Sequence, residues 1–267
     1  MARPAAEKAA HPKMKPLYTP GKEPMKVAGF MSGIGTNLRN LICFQRELEQ
    51  EGKRLFEIAV VFTEKPQSNA KKIASEFGIP YIENDICRFY EGKDRKDMEL
   101  RRKFDLRTIN LLNPFKVDCI ALCGYDSITT GGIFSNFVTL NVHPADLTIK
   151  DKNGKRKYAG AEEAKAVYNA LKDGRSELRS TIILVDEGAD TGPILVLSAP
   201  LKIKNIPKRD EDLIKFSKDV QELQKRECDW PAYRMAVKLL AEGRFAIDED
   251  KKVFLDGEYI ENGYVMK

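Results

Sequence analysis

The chain has 267 residues, of which 42% are hydrophobic and 32% are charged, a composition typical of a globular protein with a substantial core. No apolar run approaches the roughly 18 residues of a membrane-spanning helix, which argues against a membrane protein. The formal net charge is +5, but residues 1–24 hold five Lys/Arg against two Glu, so the remainder is only weakly basic and nucleic acid is not an expected partner.

Residues 1–24 contain five prolines and no regular apolar pattern, which predicts a disordered basic leader before a single domain over residues 25–267. The five cysteines form no CxxC pair. This spacing argues against a zinc site and favours a reducing compartment. We therefore predict a cytoplasmic protein that binds no metal.

Short apolar runs alternate with amphipathic segments along the rest of the chain. Strands are predicted at 26–31, 56–62, 80–82, 117–122, 137–142, 180–185 and 194–197. Helices are predicted from residue 36 towards 51 and at 67–77, 97–112, 161–171, 210–226 and 231–241, before a closing hairpin at 253–259. This alternation predicts an α/β fold with a Rossmann-like, doubly wound, mostly parallel sheet flanked by helices.

A glycine-rich turn, Ser32-Gly-Ile-Gly-Thr-Asn-Leu38, joins the first strand to the first helix. Such a turn leaves backbone N–H groups free at the positive end of a helix, which suits a phosphate. Leu38 stands where a dinucleotide fingerprint needs a third glycine, so a nicotinamide dehydrogenase is the weaker hypothesis. A plain strand–helix turn would show the same pattern.

The stretch Phe137-Val-Thr-Leu-Asn-Val-His-Pro144 is the most informative in the chain. Asn141 and His143 lie two residues apart on a predicted strand, so their side chains share a face. Pro144 cannot donate to a sheet ladder and should end the strand. The pair is therefore expected at the carboxyl edge of the sheet, where open α/β folds bind ligands. The other histidine, His11, lies in the leader.

A carboxylate from the loop at 186–190, Asp190 in particular, can complete a site with Asn141 and His143. These groups suit acyl transfer to an amine, because an imidazole can move a proton, an amide can donate to an oxyanion and a carboxylate can orient the imidazole. Each residue also has a structural interpretation, such as a capped strand end, a hydrogen-bonded core histidine or a turn aspartate.

The segment 146–158 has a strongly basic centre, Lys150-Asp-Lys-Asn-Gly-Lys-Arg-Lys157. The Asn-Gly pair predicts an exposed hairpin or a flap beside the proposed site. A solvated loop is the simpler interpretation.

Three motifs in order resemble the folate-dependent formyltransferases: Ser32-Gly-Ile-Gly-Thr-Asn-Leu38, Asn141-Val-His-Pro144 and Asp190-Thr-Gly-Pro-Ile194. The resemblance covers about residues 25–267 and is strongest to the members that formylate glycinamide ribonucleotide in purine biosynthesis. It implies the formyltransferase fold and transfer of a formyl group from 10-formyltetrahydrofolate to the amine of that phosphorylated ribonucleotide.

The resemblance also implies roles for individual residues. Asn141, His143 and Asp190 would be catalytic. The substrate phosphate would bind at Gly33, Gly35, Thr36 and Asn37. Folate would bind at Ser127, Ile128, Thr129, Val185, Asp186, Glu187, Gly188 and Ala189. A carboxylate on a late helix, for which Glu227 is the nearest match, would contact the amine substrate.

The sequence departs from the family pattern at several positions. Ile34 replaces an asparagine, Asp126-Ser127 replace Met-Arg, and Ile183 replaces a second histidine. The alternatives are therefore a formyltransferase with another amine acceptor, a formyltetrahydrofolate hydrolase and a non-catalytic nucleotide-binding protein. A methionyl-tRNA formyltransferase is disfavoured because no RNA-binding domain follows. The oligomeric state does not follow from the sequence.

Overall fold

The computed structural model describes residues 14–94, 96–161 and 163–267. The strands are β1 Lys15–Pro16, β2 Met25–Phe30, β3 Phe56–Thr63, β4 Tyr81–Glu83, β5 Cys119–Leu122, β6 Val138–His143, β7 Glu177–Leu178, β8 Thr181–Leu184, β9 Ile194–Leu197, β10 Leu201–Lys202, β11 Phe245–Ile247, β12 Val253–Leu255, β13 Glu258–Tyr259 and β14 Tyr264–Val265. The helices are α1 Thr36–Gln50, α2 Ala70–Phe77, α3 Ile86–Tyr90, α4 Met98–Leu112, α5 Gly131–Phe134, α6 Glu163–Lys172, α7 Asp210–Gln224 and α8 Trp230–Ala241.

Eight strands form the central sheet in the order β14-β9-β8-β6-β5-β2-β3-β4. All neighbouring pairs are parallel except those of β8, which runs antiparallel to both β6 and β9. The predicted mostly parallel α/β sheet is therefore confirmed. A separate antiparallel sheet, β1-β11-β12-β13, contains the predicted closing hairpin.

Both faces of the central sheet are covered, because successive residues of its inner strands pack into different clusters. In β5, Cys119 and Ala121 belong to the cluster formed with α1, α2 and α8. Ile120 and Leu122 belong to the cluster with residues of α4 and α5 on the other face. This alternation follows from the two-residue period of a strand and explains why β5 is apolar throughout.

The predicted disordered leader needs correction for the residues that the structure describes. Lys15 and Pro16 form β1, which pairs antiparallel with β11, and the Leu17 N–H donates to the Phe245 carbonyl at 3.0 Å. This pairing occupies an edge of the small sheet, where a proline is tolerated. Residues 1–13 of the predicted leader lie outside the described residues.

Candidate active site

A cavity of about 920 Å³ lies at the carboxyl ends of β5 and β6. The strand order reverses between β2 and β5, and such a switch point is where open α/β sheets bind ligands. Gly124 and Tyr125 line the cavity just after β5, and Asn141 and His143 line it at the end of β6. As predicted, β6 ends at His143, directly before Pro144.

Asn141 and His143 both contact the Asp190 carboxylate at the wall of this cavity. The Asn141 amide donates from Nδ2 to Asp190 Oδ1 at 3.3 Å, and His143 Nδ1 lies 3.1 Å from Asp190 Oδ2. The Gly160 N–H donates to the same Oδ2 atom at 2.8 Å. The structure therefore brings the three predicted catalytic residues together around one carboxylate.

The His143 ring is almost fully buried, at 4% exposure, and both of its nitrogens face oxygen atoms. Its Nε2 atom lies 2.8 Å from the Tyr158 carbonyl oxygen. A carboxylate on one side and a carbonyl on the other are both acceptors, so each ring nitrogen faces an oxygen that can accept a hydrogen bond but cannot donate one.

Asp190 carries its negative charge in a partly buried place. Burial by itself would raise the pKa of the Asp190 carboxyl. The hydrogen bond and the charge of His143 outweigh it, together with the Gly160 N–H and the Asn141 amide, and lower that pKa below the ordinary value. Asp190 is thus ionised where it can stabilise a positive imidazole.

The loop that carries Asp190 has a constrained backbone. Asp190 has φ 55°, in the left-handed region that non-glycine residues seldom adopt. A Cβ at Gly192 would lie 1.7 Å from the Leu184 carbonyl oxygen, so only glycine fits there. The Asp-Thr-Gly motif therefore combines the Asp190 carboxylate, which faces the cavity, with a glycine that lets the loop backbone pass close to the Leu184 carbonyl.

The basic segment after His143 forms a hairpin beside the site, which is one of the interpretations left open by the sequence, whereas the simpler one was a solvated loop. Lys150 pairs with Arg156 in an antiparallel bridge, and residues 152–155 at its tip are exposed. The chain after it returns to the cavity, where Tyr158 contacts His143 and Gly160 contacts Asp190.

All eight residues predicted to contact folate line the cavity. Ile128 is 69% exposed, so its apolar side chain is accessible at the cavity. Behind Ser127 lies Glu64, which is fully buried and accepts hydrogen bonds from the Ser32 and Ser127 hydroxyls at 2.5 and 3.1 Å. Burial raises the pKa of Glu64, and these hydroxyl donors oppose that shift.

Of the four residues predicted to bind the phosphate, Asn37 lines the cavity, whereas Gly33, Gly35 and Thr36 form the adjoining turn. Asn37 is 7% exposed, and its Oδ1 atom has no hydrogen-bond partner among the described residues. An amide oxygen accepts hydrogen bonds, as phosphate oxygens do, so it is the Nδ2 amide of Asn37 that would donate to a phosphate.

Gly35→Ala should destabilise the protein by about 2 kcal/mol, because Gly35 has φ 79° and left-handed backbone is costly for other residues. Its new Cβ would also meet Met31 Cε and Ile73 Cδ1, each at 2.6 Å. Urea unfolding measures the effect. Gly33→Ala is the matched control, since a Cβ there meets nothing within 4 Å, and its stability should stay within about 0.5 kcal/mol of wild type. Equal stabilities of the two variants would contradict this account.

The prediction that Glu227 faces the substrate is wrong, because its side chain is exposed and does not line the cavity. Asp229, which is 4% exposed, lines it instead and accepts a hydrogen bond from Ser180 Oγ at 2.5 Å. The cause is a π-helical turn, Lys225–Asp229, between α7 and α8. The i→i+5 hydrogen bonds of a π-helical turn wind the chain more widely than an α-helix and change which side chain faces inward, and the sequence carried no signal for that turn.

Lys65 is a further lining residue that the motifs did not reveal. Its Nζ atom lies 2.5 Å from Asp126 Oδ2, at the end of the cavity near Ser127. The described lining of this cavity includes one lysine, Lys65, and five carboxylates, those of Asp126, Asp186, Glu187, Asp190 and Asp229. The cavity wall is therefore acidic.

Two common kinds of feature, a membrane-spanning helix and a metal-binding cluster, are absent from the described residues. Within them, no helix is both long enough and apolar enough to cross a bilayer. In the same part of the chain, no cluster of three or more His, Cys, Asp or Glu side chains is placed to hold a metal ion. The expectation that the protein works without a metal stays a prediction.

An α/β sheet with an amide, an imidazole and a carboxylate joined at its carboxyl edge defines a site suited to acyl transfer. The family model described as formyl transferase matches residues 25–224. The chain therefore belongs to the formyl transferase family.

Curated relatives and solved structures agree with this assignment. The chain is 28% identical over 227 residues, 84% of its length, to the trifunctional purine biosynthetic protein adenosine-3 of Drosophila melanogaster, but spans only 14% of that protein. It is 27% identical over 176 residues to the phosphoribosylglycinamide formyltransferase of Bacillus subtilis, matching 65% of this chain and 78% of the relative.

Among solved structures, the phosphoribosylglycinamide formyltransferase of Coxiella burnetii superposes with a TM-score of 0.69 at 22% identity, covering 92% of this chain and all of the other. The glycinamide ribonucleotide transformylase 1 of Symbiobacterium toebii gives 0.64 at 23% identity, covering 88% and 95%. At these identities the likeness establishes the fold.

Proposed function

We propose that this chain transfers a formyl group from 10-formyltetrahydrofolate to the amine of glycinamide ribonucleotide. The observation that carries the proposal is the contact of Asn141, His143 and Asp190 at the wall of the large cavity. Support for the acceptor comes from relatives whose names state that they are phosphoribosylglycinamide formyltransferases. A cytoplasmic location, and the absence of nucleic-acid and membrane partners, stay predictions.

The cavity fits a folate in size and lining. Its volume of about 920 Å³ is at the upper end of the usual range for small-molecule sites, so it has room for a second ligand beside a pterin. Val185 and Ile128 supply apolar surface, and the loop at 185–189 supplies backbone groups. When bound, 10-formyltetrahydrofolate would supply the formyl group to be transferred.

The catalytic residues would act on the charge and protons that move in this transfer. The bond between the formyl carbon and the folate N10 breaks, and a bond to the acceptor nitrogen forms. Asn141 has a second amide N–H besides the one directed at Asp190, and it would donate to the formyl oxygen as negative charge develops there. The acceptor amine loses a proton and N10 gains one.

His143 would assist that proton movement from a position that Asp190 holds. The Asp190 carboxylate orients Nδ1 and stabilises the positive ring. The Nε2 atom contacts the Tyr158 carbonyl in the structure, so proton exchange through Nε2 requires a ligand atom to take the place of that carbonyl. On the acceptor side, the Gly33–Asn37 turn and Asp229 would bind the phosphate and the amine-bearing part of the substrate.

One observation favours a second candidate, a formyltransferase for a different amine. A phosphorylated acceptor brings negative charge into a cavity whose described lining holds five carboxylates and one lysine, itself paired with Asp126. Ile34, where the family usually has asparagine, is 71% exposed beside the predicted phosphate turn. These features suit an acceptor that is uncharged or cationic, such as an amino sugar.

Release of tetrahydrofolate from 10-formyltetrahydrofolate, measured with and without glycinamide ribonucleotide, tests the proposal. Release that depends on the ribonucleotide would support it. Release without any acceptor would indicate a hydrolase, whereas release that requires an amino sugar would support the second candidate. A lack of ribonucleotide-dependent release would contradict the proposed acceptor.

A further inference from the structure

One side chain of the basic hairpin holds the backbone of the loop that carries Asp190. The guanidinium of Arg156 donates from Nη1 to the carbonyl oxygens of Asp190 and Gly192, at 2.7 and 2.8 Å. These carbonyls lie on either side of Thr191, so a single cationic nitrogen closes the whole Asp-Thr-Gly turn. Charge-assisted hydrogen bonds of this kind are among the stronger ones in proteins.

The turn needs such support because of its conformation. The left-handed φ of 55° at Asp190 is unfavourable for a residue with a side chain, and it persists where surrounding contacts determine it. The Asp190 carbonyl and carboxylate branch from one Cα atom, so a shift of the turn backbone away from Arg156 would displace the carboxylate as well. That carboxylate must meet donors from His143 and Asn141 at once.

Arg156 acts from outside the substrate cavity. It does not line the large cavity but a second one of about 270 Å³. Its side chain is half-buried, and burial lowers the pKa of the guanidinium, while the charges of Asp186 and Asp190 oppose that shift. Without it, two backbone carbonyls of a tight turn would lose their charged donor, a costly change for partly buried groups.

We propose that Arg156 is a positioning residue that holds the Asp190 carboxylate against His143 and Asn141. The basic hairpin thus has a role in formyl transfer beyond that of a solvated loop. The inference rests on the proposed function, in which Asp190 assists His143.

Kinetics provide the first test. Arg156→Ala should lower kcat by about 10²-fold, the loss expected when a catalytic group is displaced by about 1 Å, while KM for both substrates stays unchanged because Arg156 does not line their cavity. Lys155→Ala is the matched control, because it removes the same charge from an exposed position of the same hairpin. The backbone N–H of Lys155, which donates to Asp151 Oδ1, is kept in this variant. Lys155→Ala should keep wild-type kcat and KM.

A spectroscopic test does not depend on the acceptor. Proton–nitrogen correlation spectra of the imidazole N–H groups, with His143→Ala for assignment, should show the His143 Nδ1–H signal shifted downfield by its bond to Asp190 in wild type and in Lys155→Ala. In Arg156→Ala this signal should move upfield or disappear. Arg156→Lys keeps the charge without the planar guanidinium and should change in the same direction, so the test stands even where Arg156→Ala does not fold.

The two tests separate the failure of this inference from failure of the proposed function. A folded Arg156 variant with the wild-type imidazole signal and wild-type kcat would overturn the positioning role. A wild-type enzyme that does not formylate glycinamide ribonucleotide, together with an imidazole signal that changes in Arg156→Ala, would contradict the proposed acceptor and support the positioning role.

Discussion

His143→Ala is expected to lower kcat for formyl transfer by ~10²–10⁴-fold, the contribution that a positioned imidazole usually makes to proton transfer. His143 is the histidine of the described chain that faces the cavity, and its ring contacts the Asp190 carboxylate at 3.1 Å. An alanine leaves no group on β6 that can exchange a proton at that point. The measurement is steady-state release of tetrahydrofolate in the presence of the acceptor.

Measuring the folate affinity of His143→Ala shows whether the variant has lost only its catalytic step or has also lost its binding site. Because the predicted folate contacts come from the segments at 127–129 and 185–189, His143→Ala should bind folate with an affinity close to that of wild type. His11→Ala removes the other imidazole of the chain and should leave kcat unchanged. A His143→Ala enzyme with wild-type turnover would show that His143 is structural.

Asp190→Asn is expected to lower kcat by ~10³–10⁴-fold, a loss typical of replacing the carboxylate that orients a catalytic histidine. The carboxylate faces three donors, from His143, Asn141 and Gly160. A side-chain amide has one oxygen to accept with, so its NH₂ group would face at least one of those donors. The imidazole would then lose both its orientation and the negative charge that stabilises its protonated form.

The same variant should change how stability depends on pH. The pKa of Asp190 is lowered in the folded protein, so the folded state binds fewer protons at this group than the unfolded state. The stabilisation is therefore present above the unfolded pKa of about 3.9 and is lost as pH falls through the folded pKa. Urea unfolding between pH 7 and the acid range should show a shallower acid loss for Asp190→Asn than for wild type.

A surface carboxylate provides the control for both measurements. Asp212, which is 47% exposed and pairs with Arg209, lies away from the cavity, so Asp212→Asn should retain wild-type kcat. Identical acid limbs for wild type and Asp190→Asn would mean that the Asp190 charge does not contribute to stability. Equal kcat values would mean that it does not contribute to catalysis.

The core of the site could be predicted from local rules. A two-residue period places Asn141 and His143 on one face, and a proline that cannot join the ladder ends β6 directly after them. Gly35 has the left-handed backbone that a glycine-rich turn into a helix favours. These rules depend on residues close together in sequence, which is why the edge of the sheet and its polar pair were correctly expected.

Other features depend on contacts that no local rule describes. Because of the π-helical turn before α8, the acidic residue that lines the cavity is Asp229 and not the predicted Glu227, two residues earlier. β1 formed inside the proline-rich leader because β11 offered an open edge more than 200 residues later in the chain. The contact of Arg156 with the Asp190 carbonyl joins two loops that the sequence separates by 34 residues.

The most direct test of formyl transfer to glycinamide ribonucleotide follows the formyl carbon itself. Wild type would be incubated with 10-formyltetrahydrofolate labelled with ¹³C in the formyl group and with the ribonucleotide, and the product would be identified by NMR and mass. We expect the label in a formamide on the ribonucleotide amine, formed by wild type and not by His143→Ala. Label recovered as free formate, or left on the folate, would contradict the account.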